Sequence, residues 1–199
     1  MKKTIYLLVM LGVGNLAFGQ MSIGVDVFNR YVWRGTDFGN SASVQPSIEY
    51  AVGAFTIGAW GAWSTSGAAG GNENDLYVST SVGPVDVTVT DYFFPEYAGA
   101  DSIFDMDKHV FELSAGMDLG PVAATVAYNV SGDDDNSAYL ELGYGPVTLG
   151  LGNGFYTVGD DPDFGIVNLG VSASRDIYTV SYILNPEQKT SFLVFGFSL

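Results

Sequence analysis

Apolar residues in this chain recur at every second position over long stretches, and turn-forming residues interrupt these ladders at short intervals. From Val122, one face carries Val122, Ala124, Val126 and Tyr128, the other Ala123, Thr125, Ala127 and Asn129. The same alternation sets Leu140 and Leu142 against Tyr139 and Glu141. It sets Val147, Leu149 and Leu151 against Thr148, Gly150 and Gly152, and Leu193, Phe195 and Phe197 against Val194, Gly196 and Ser198. A period of two puts successive side chains on opposite faces of a strand, so the pattern predicts an all-β chain. The predicted strands run over 21–34, 42–51, 54–65, 74–82, 85–93, 108–118, 121–130, 136–145, 146–155, 164–174, 176–185 and 189–199.

The connections between these strands alternate in length. Tight ones fall at Val52-Gly53, Gly83-Pro84, Gly120-Pro121, Gly145-Pro146 and Arg175-Asp176, and three continue as Gly-Pro-Val. Longer ones fall at 35–41, 66–73, 94–107, 131–135, 156–163 and 186–188. Short turns on one side, longer loops on the other and an even strand count mark a transmembrane barrel. A Greek-key sandwich has no reason to alternate in this way. The expected fold is therefore an antiparallel transmembrane β-barrel of twelve strands, with ten as the next count.

Composition sharpens this picture. The 199 residues carry 7 Lys and Arg against 22 Asp and Glu, a formal charge of -15, with 47% hydrophobic residues and a mean hydropathy of +0.22. An acidic disordered chain would be poor in apolar residues, so disorder is excluded as the main reading. So is nucleic-acid binding, which needs clustered Lys and Arg. The absence of cysteine removes disulfides, Cys-ligated metals and thiol nucleophiles. No cofactor is implied.

The first residues read as a Sec signal peptide: Lys2 and Lys3, an apolar run from Ile5 to Val13, and Ala17-Phe18-Gly19 before cleavage near Gly19. Residues 1–19 would then be the signal and residues 20–199 a single outer-membrane domain. Cleavage removes two lysines and no acid, which moves the charge from -15 to -17. Thirteen acids (Asp37, Glu73, Glu96, Asp101, Asp105, Asp107, Asp133, Asp134, Asp135, Asp160, Asp161, Asp163 and Glu187) fall in the longer connections and so on one rim. Aromatic girdles are expected from Tyr31, Trp33, Trp63, Tyr92, Phe93, Phe155 and Tyr156 on the loop side. Tyr50, Tyr144, Tyr178 and Phe197 would form the girdle on the turn side.

The stretch VFNRYVWRGTDFGNSASVQPSIEYAVGAFTIGAWGAW, followed by ENDLYVSTSVGPVDVTVTDYFFP, resembles the TorF-type family of outer-membrane porins of Gram-negative bacteria. The likeness continues more loosely through DNSAYLELGY to SFLVFGFSL, and Arg30–Gly35 and Gln45–Ser47 are its specific part. It implies a β-barrel with a pore and brings no catalytic residues. The chain departs from the usual terminal aromatic of such barrels by ending in Leu199, with Phe195 and Phe197 before it.

Alternation also sorts the charged residues by face. With Ile23, Val25 and Val27 toward lipid, Asp26, Arg30 and Arg34 face the lumen, and so do Glu49, Glu112 and Glu141. These six are the pore-lining candidates, and a hairpin turning near residue 38 would set Arg30 opposite Glu49. Two arginines among carboxylates fit either a selectivity constriction or salt bridges filling a closed lumen. No long inward-folding loop is evident. His109, the single histidine, leans outward like Phe111 at a strand end, which suits an interfacial residue better than a general base. Asp91 falls on the lipid face, at the headgroup level or after a bulge. The acid runs at 133–135 and 160–163 fit neither the EF-hand nor a nonapeptide repeat, and no metal site is expected from them. The function expected is passive diffusion of small hydrophilic solutes or ions with a mild cation preference. The alternatives are a closed structural or binding barrel and a rim lipid hydrolase. Expected partners are outer-membrane lipid, lipopolysaccharide and the barrel assembly machinery.

Overall fold

The computed structural model describes residues 20–66, 70–95, 103–159, 161 and 163–199. The expected signal segment lies outside these residues. In chain order the strands are β1 (Gln20–Phe28), β2 (Tyr31–Trp33), β3 (Thr36–Phe38), β4 (Ser43–Val52), β5 (Phe55–Ser64), β6 (Glu73–Val82) and β7 (Val85–Phe93). They continue with β8 (His109–Leu119), β9 (Val122–Ser131), β10 (Ala138–Tyr144), β11 (Val147–Gly152), β12 (Gly165–Arg175), β13 (Tyr178–Asn185) and β14 (Thr190–Ser198). Twelve of them close into an antiparallel barrel, each bonded to its neighbours in sequence, with β1 joining β4 on one side and β14 on the other. Closure leaves no open edge, so the barrel wall can face an apolar medium on its outside.

The outside is apolar. Ile23, Ile48, Ile57, Leu76, Val89, Val126, Val180 and Leu193 are all exposed there, each on the face opposite a small or polar neighbour. Among the described residues no helix is long and apolar enough to cross a membrane. The tight turns Gly83-Pro84, Gly120-Pro121 and Gly145-Pro146 place glycine at positive φ (+63°, +67° and +55°) with proline following. That combination suits a two-residue hairpin turn whose twist matches the strands it joins. The other two tight turns sit one residue later than expected, at Gly53-Ala54 and Asp176-Ile177.

Closure between β1 and β14 is short. Register there covers Asp26↔Ser198, Val27↔Phe197 and Phe28↔Gly196, whereas β1 pairs with β4 from Gln20↔Ala51 to Phe28↔Ser43. The Asn29 side chain lengthens the seam beyond the ladder: its amide donates to the Leu193 carbonyl at 3.1 Å and its Oδ1 accepts from the Phe195 amide at 2.8 Å.

The first strand departs from the sequence expectation. It ends at Phe28, and residues beyond it do not continue the wall but form a separate two-stranded hairpin, with Tyr31 opposite Phe38 and Trp33 opposite Thr36. This hairpin packs inside the barrel, so an inward-folding segment exists where none was expected. The strand expected over 146–155 is also shorter: β11 ends at Gly152, and a single 3-10 turn at Gly154–Tyr156 carries the chain inward.

Candidate functional site

The hairpin turns at Arg34-Gly35, both at positive φ (+48° and +83°), which is the two-residue geometry that matches strand twist. Its short strands present Tyr31, Trp33 and Phe38 as a slab of aromatics. Tyr31 contacts Phe38 and Trp60 at 5.2 and 5.5 Å between ring centroids, and Trp33 contacts Tyr92 and Tyr156 at 5.5 and 5.9 Å. Tyr31, Tyr92, Tyr139 and Tyr156 are all buried. Four residues expected in the loop-side girdle, Tyr31, Trp33, Tyr92 and Tyr156, therefore fill the lumen instead. Trp63 and Phe155 remain exposed, as do Tyr144 and Tyr178 at the turn side.

Polar contacts lock the slab to the wall. The Arg34 guanidinium reaches Glu112 of β8 with both terminal nitrogens, at 2.5 and 3.0 Å, and donates to the Tyr156 hydroxyl at 2.5 Å. It lies 4.2 Å from the Trp33 ring centroid and 4.5 Å from that of Tyr139, an arrangement in which π faces replace water around the cation. Burial alone would make Arg34 easier to deprotonate. The hydrogen bond to Glu112 and the charges of Tyr156, Glu112 and Tyr92 together outweigh this and raise its pKa above the ordinary value. On the other flank Tyr31 donates to Glu73 at 2.7 Å. Burial, and then the Glu73 carboxylate, raise the Tyr31 phenol well above its usual value, so it stays a neutral donor. Burial likewise pushes the Tyr156 phenol up to about 12, against the pull of Arg34. The tip of the hairpin is held from β13 and the turn after it, where the Asn185 amide donates to the Gly35 carbonyl at 3.2 Å and Gln188 to the Thr36 hydroxyl at 3.1 Å.

A β-bulge completes the seat. Register between β11 and β12 slips between Gly150↔Asn168 and Leu151↔Ile166, which leaves Val167 as the extra residue. Val167 is fully buried and clusters with Ala127, Tyr139 and Tyr156, against which Trp33 packs.

Of the six candidates, Arg34 and Glu112 meet directly. Arg30 does not meet Glu49. Because β1 pairs in the register Ser22↔Glu49, Glu49 lies near the turn side, where it accepts from Tyr77 at 2.6 Å and from Ser22 at 3.4 Å. Arg30 instead forms an ion pair with Asp37 inside the hairpin and lies over the Phe192 ring. Glu141 accepts from Tyr139 at 2.7 Å, and Asp26 sits opposite Gln45 and Ser198 near the closure seam. Two acids expected on the rim, Asp37 and Glu73, are inside. The sequence reasoning missed Glu73, Asp75, Tyr77 and Asn168, whose alternation with Leu76, Val78 and Leu169 already marked them as inward.

The lumen is thus divided. Its loop-side half holds the hairpin and a cavity of about 250 Å3 beside it, floored by Glu73 and Asp75. Its turn-side half is lined mostly by small residues and opens into a space of about 490 Å3 bounded by Ser22, Glu49, Ala51 and Thr56. The Tyr77 ring crosses the inner wall over Gly58, where an added Cβ would lie 2.2 Å from it, so only glycine leaves room for the Tyr77–Glu49 bond.

On the outer face, Asp91 follows unbroken register and points outward. It meets His109 Nδ1 at 2.7 Å while His109 Nε2 lies 2.9 Å from the Ile103 carbonyl. These two contacts tie the loop before His109 to the wall. Neither nitrogen is left to serve a nucleophile in this arrangement.

A family model of bacterial proteins matches residues 17–173. The chain belongs to that family, Gcw_chp, whose members are of unknown function. The match takes in the hairpin, Glu73, Glu112 and Tyr156, so the Gcw_chp segment contains most of the seat. The Asn185 and Gln188 contacts lie beyond it. No curated protein matches the chain.

The Gcw_chp barrel also carries the acid run at 133–135 as a self-capped turn. Asp133 accepts from Asn129 at 2.8 Å and from the Ser137 and Asp135 amides at 2.9 and 3.1 Å. Partial burial would raise its carboxyl, but these bonds outweigh it and hold the pKa below its ordinary value. A depressed folded value means the tether is at full strength above the unfolded value, about 4, and is lost as pH falls through the folded one. In amide spectra the Ser137 proton should therefore titrate only at a pH below about 4. Asp133→Asn should abolish that titration, and a Ser137 shift that titrates identically in the variant would contradict the assignment. Part of the second acid run, at 160–163, lies outside the described residues.

Proposed function

We propose that this chain is an outer-membrane barrel, exported through the Sec pathway, that passes small hydrophilic solutes with a preference for cations past a constriction made by the β2–β3 hairpin. The observation that carries the reading is the charge of the inner wall. Asp26, Glu49, Glu73, Asp75, Glu112 and Glu141 face inward, whereas the two arginines inside, Arg30 and Arg34, are each already paired with a carboxylate. Lys108, Arg175 and Lys189 are exposed at loops or turns. Glu112 is taken by Arg34, but the rest of these acids pair with no cationic side chain among the described residues, and such a lumen lowers the energy of a passing cation and raises that of an anion. The apolar exterior supports lipid around the wall, and the likeness of Arg30–Gly35 and Gln45–Ser47 to the TorF-type porins supports a pore. Acidic loops at one rim would meet lipopolysaccharide through bridging divalent ions.

A closed binding barrel is the second reading, favoured by the depth to which Tyr31, Tyr92 and Tyr139 are buried against the hairpin. Purified protein in planar bilayers separates the two. The expected result is discrete conductance steps with a cation-selective reversal potential in a potassium chloride gradient, reduced in a variant carrying Asp26→Asn and Glu49→Gln. A silent bilayer would leave the closed barrel, and an anion-selective reversal would sink the charge argument.

A further inference from the structure

The cavity beside the hairpin has a chemistry of its own. Its walls are the rings of Tyr31, Trp33, Trp60, Tyr77 and Tyr92. The hydroxyls of the three tyrosines are already spent as donors, on Glu73 at 2.7 Å, Glu49 at 2.6 Å and Glu112 at 3.2 Å, so what they offer the cavity is mainly π surface. The floor is Glu73 and Asp75, 1% and 7% exposed. They stand two residues apart on the inward face of β6, so both carboxyl groups are turned to the same side of the wall. Asp75 Oδ1 is buried with no hydrogen-bond partner. Buried carboxyl groups and an unused acceptor are costly unless a donor or a cation meets them, and among the described residues no cationic side chain lines the cavity. The nearest guanidinium, that of Arg34, is held by Glu112 and covered by Trp33.

We propose that this cavity binds a small organic cation, an alkylammonium group seated against the rings of Trp33 and Trp60 with its charge on the Glu73–Asp75 pair. A cation fits better than a neutral polyol. The site supplies π faces and a charged acceptor, which favour positive charge together with apolar bulk, and its tyrosine donors are committed elsewhere. The volume of about 250 Å3 suits a head group of a few carbons. The site deepens the cation preference proposed above and rests on solutes reaching the lumen.

The test uses the full chain in detergent micelles with Trp63→Phe, which silences the tryptophan on the outer face and leaves Trp33 and Trp60 as reporters. Tetramethylammonium chloride should give a saturable change in tryptophan fluorescence, which tert-butanol of similar shape and sodium chloride at equal ionic strength should not. A variant combining Glu73→Gln with Asp75→Asn should bind at least tenfold more weakly, while Asp118→Asn, near the turn-side mouth, should bind as before. Should the double variant lose its heat-dependent gel shift and so its fold, Trp60→Leu decides by the same loss of affinity. An absent response, an equal response to tert-butanol, or undiminished binding by the folded variants overturns the site. Binding in micelles needs no conductance. Conductance without binding therefore rejects the site alone, and binding with a silent bilayer rejects the channel alone.

Discussion

Replacing Arg34 with alanine should unseat the hairpin and raise single-channel conductance several-fold, with the barrel itself intact. Arg34 is the point at which the hairpin, β8 and the turn at Gly154–Tyr156 are joined, through Glu112, the Tyr156 hydroxyl and the Trp33 and Tyr139 rings. Its removal leaves Glu112, 2% exposed, with the Tyr92 hydroxyl at 3.2 Å in place of the guanidinium. Breaking a buried pair from one side costs about 3–5 kcal/mol, because the remaining charge stays desolvated. That exceeds what an eight-residue hairpin tied by a few neutral hydrogen bonds recovers at about 1 kcal/mol each. The wall depends on none of these contacts, since every strand from β4 to β14 is paired with its neighbours through the backbone, so heat-dependent gel mobility should survive. Arg34→Lys should fall between, because an ammonium cannot bridge both Glu112 oxygens. Pairing Arg34→Ala with Glu112→Ala should recover part of the loss by removing the stranded charge. Unchanged conductance and an unchanged melting midpoint in Arg34→Ala would show that the hairpin is seated by packing alone.

The wall was legible in the sequence because lipid on one side and lumen on the other impose a strict period of two, and because Gly-Pro turns punctuate it. Val126 and Tyr128 point out and Ala127 and Asn129 point in, as alternation requires, and the outward lean of His109 follows from the same rule. The hairpin was not legible for the same reason. Tyr31, Val32, Trp33 and Arg34 continue the alternation of β1, and alternation cannot tell a strand in the wall from one packed against it. The signal that could have found it is the turn itself: Tyr-Val-Trp and Thr-Asp-Phe flank Arg34-Gly35, and a Gly at the second position of a two-residue turn marks a hairpin even where the first residue is not Asn or Asp. The aromatics were misplaced in consequence. Interfacial girdles and an aromatic plug draw on the same residues at the same strand ends, and only the break after Phe28 separates them. The Arg30–Glu49 pairing failed through register, since a turn placed near residue 38 assumed a wall strand running to Arg34.

The second large effect falls on the same hairpin by a different route. Gly35→Ala should displace it as strongly as Arg34→Ala, without touching any charge. Gly35 sits at φ +83°, and a Cβ there would lie 1.9 Å from the Val167 carbonyl oxygen and 2.9 Å from its carbon. Both obstacles are backbone, held in the β11–β12 ladder by the bulge, so no rotamer relieves the clash and the hairpin tip must lift. Lifting it breaks the Asn185 bond to the Gly35 carbonyl and draws Trp33 from the cluster around Val167. Gly83→Ala supplies the control. Gly83 is also left-handed, at φ +63°, but an added Cβ there meets nothing within 4 Å, so this variant carries the conformational cost of about 1 kcal/mol without the collision. The expected pattern is a large rise in conductance and in protease cleavage near Arg34 for Gly35→Ala, and neither for Gly83→Ala. If the two variants behave alike, the hairpin is not pressed against Val167, and the constriction has to be sought elsewhere along the wall.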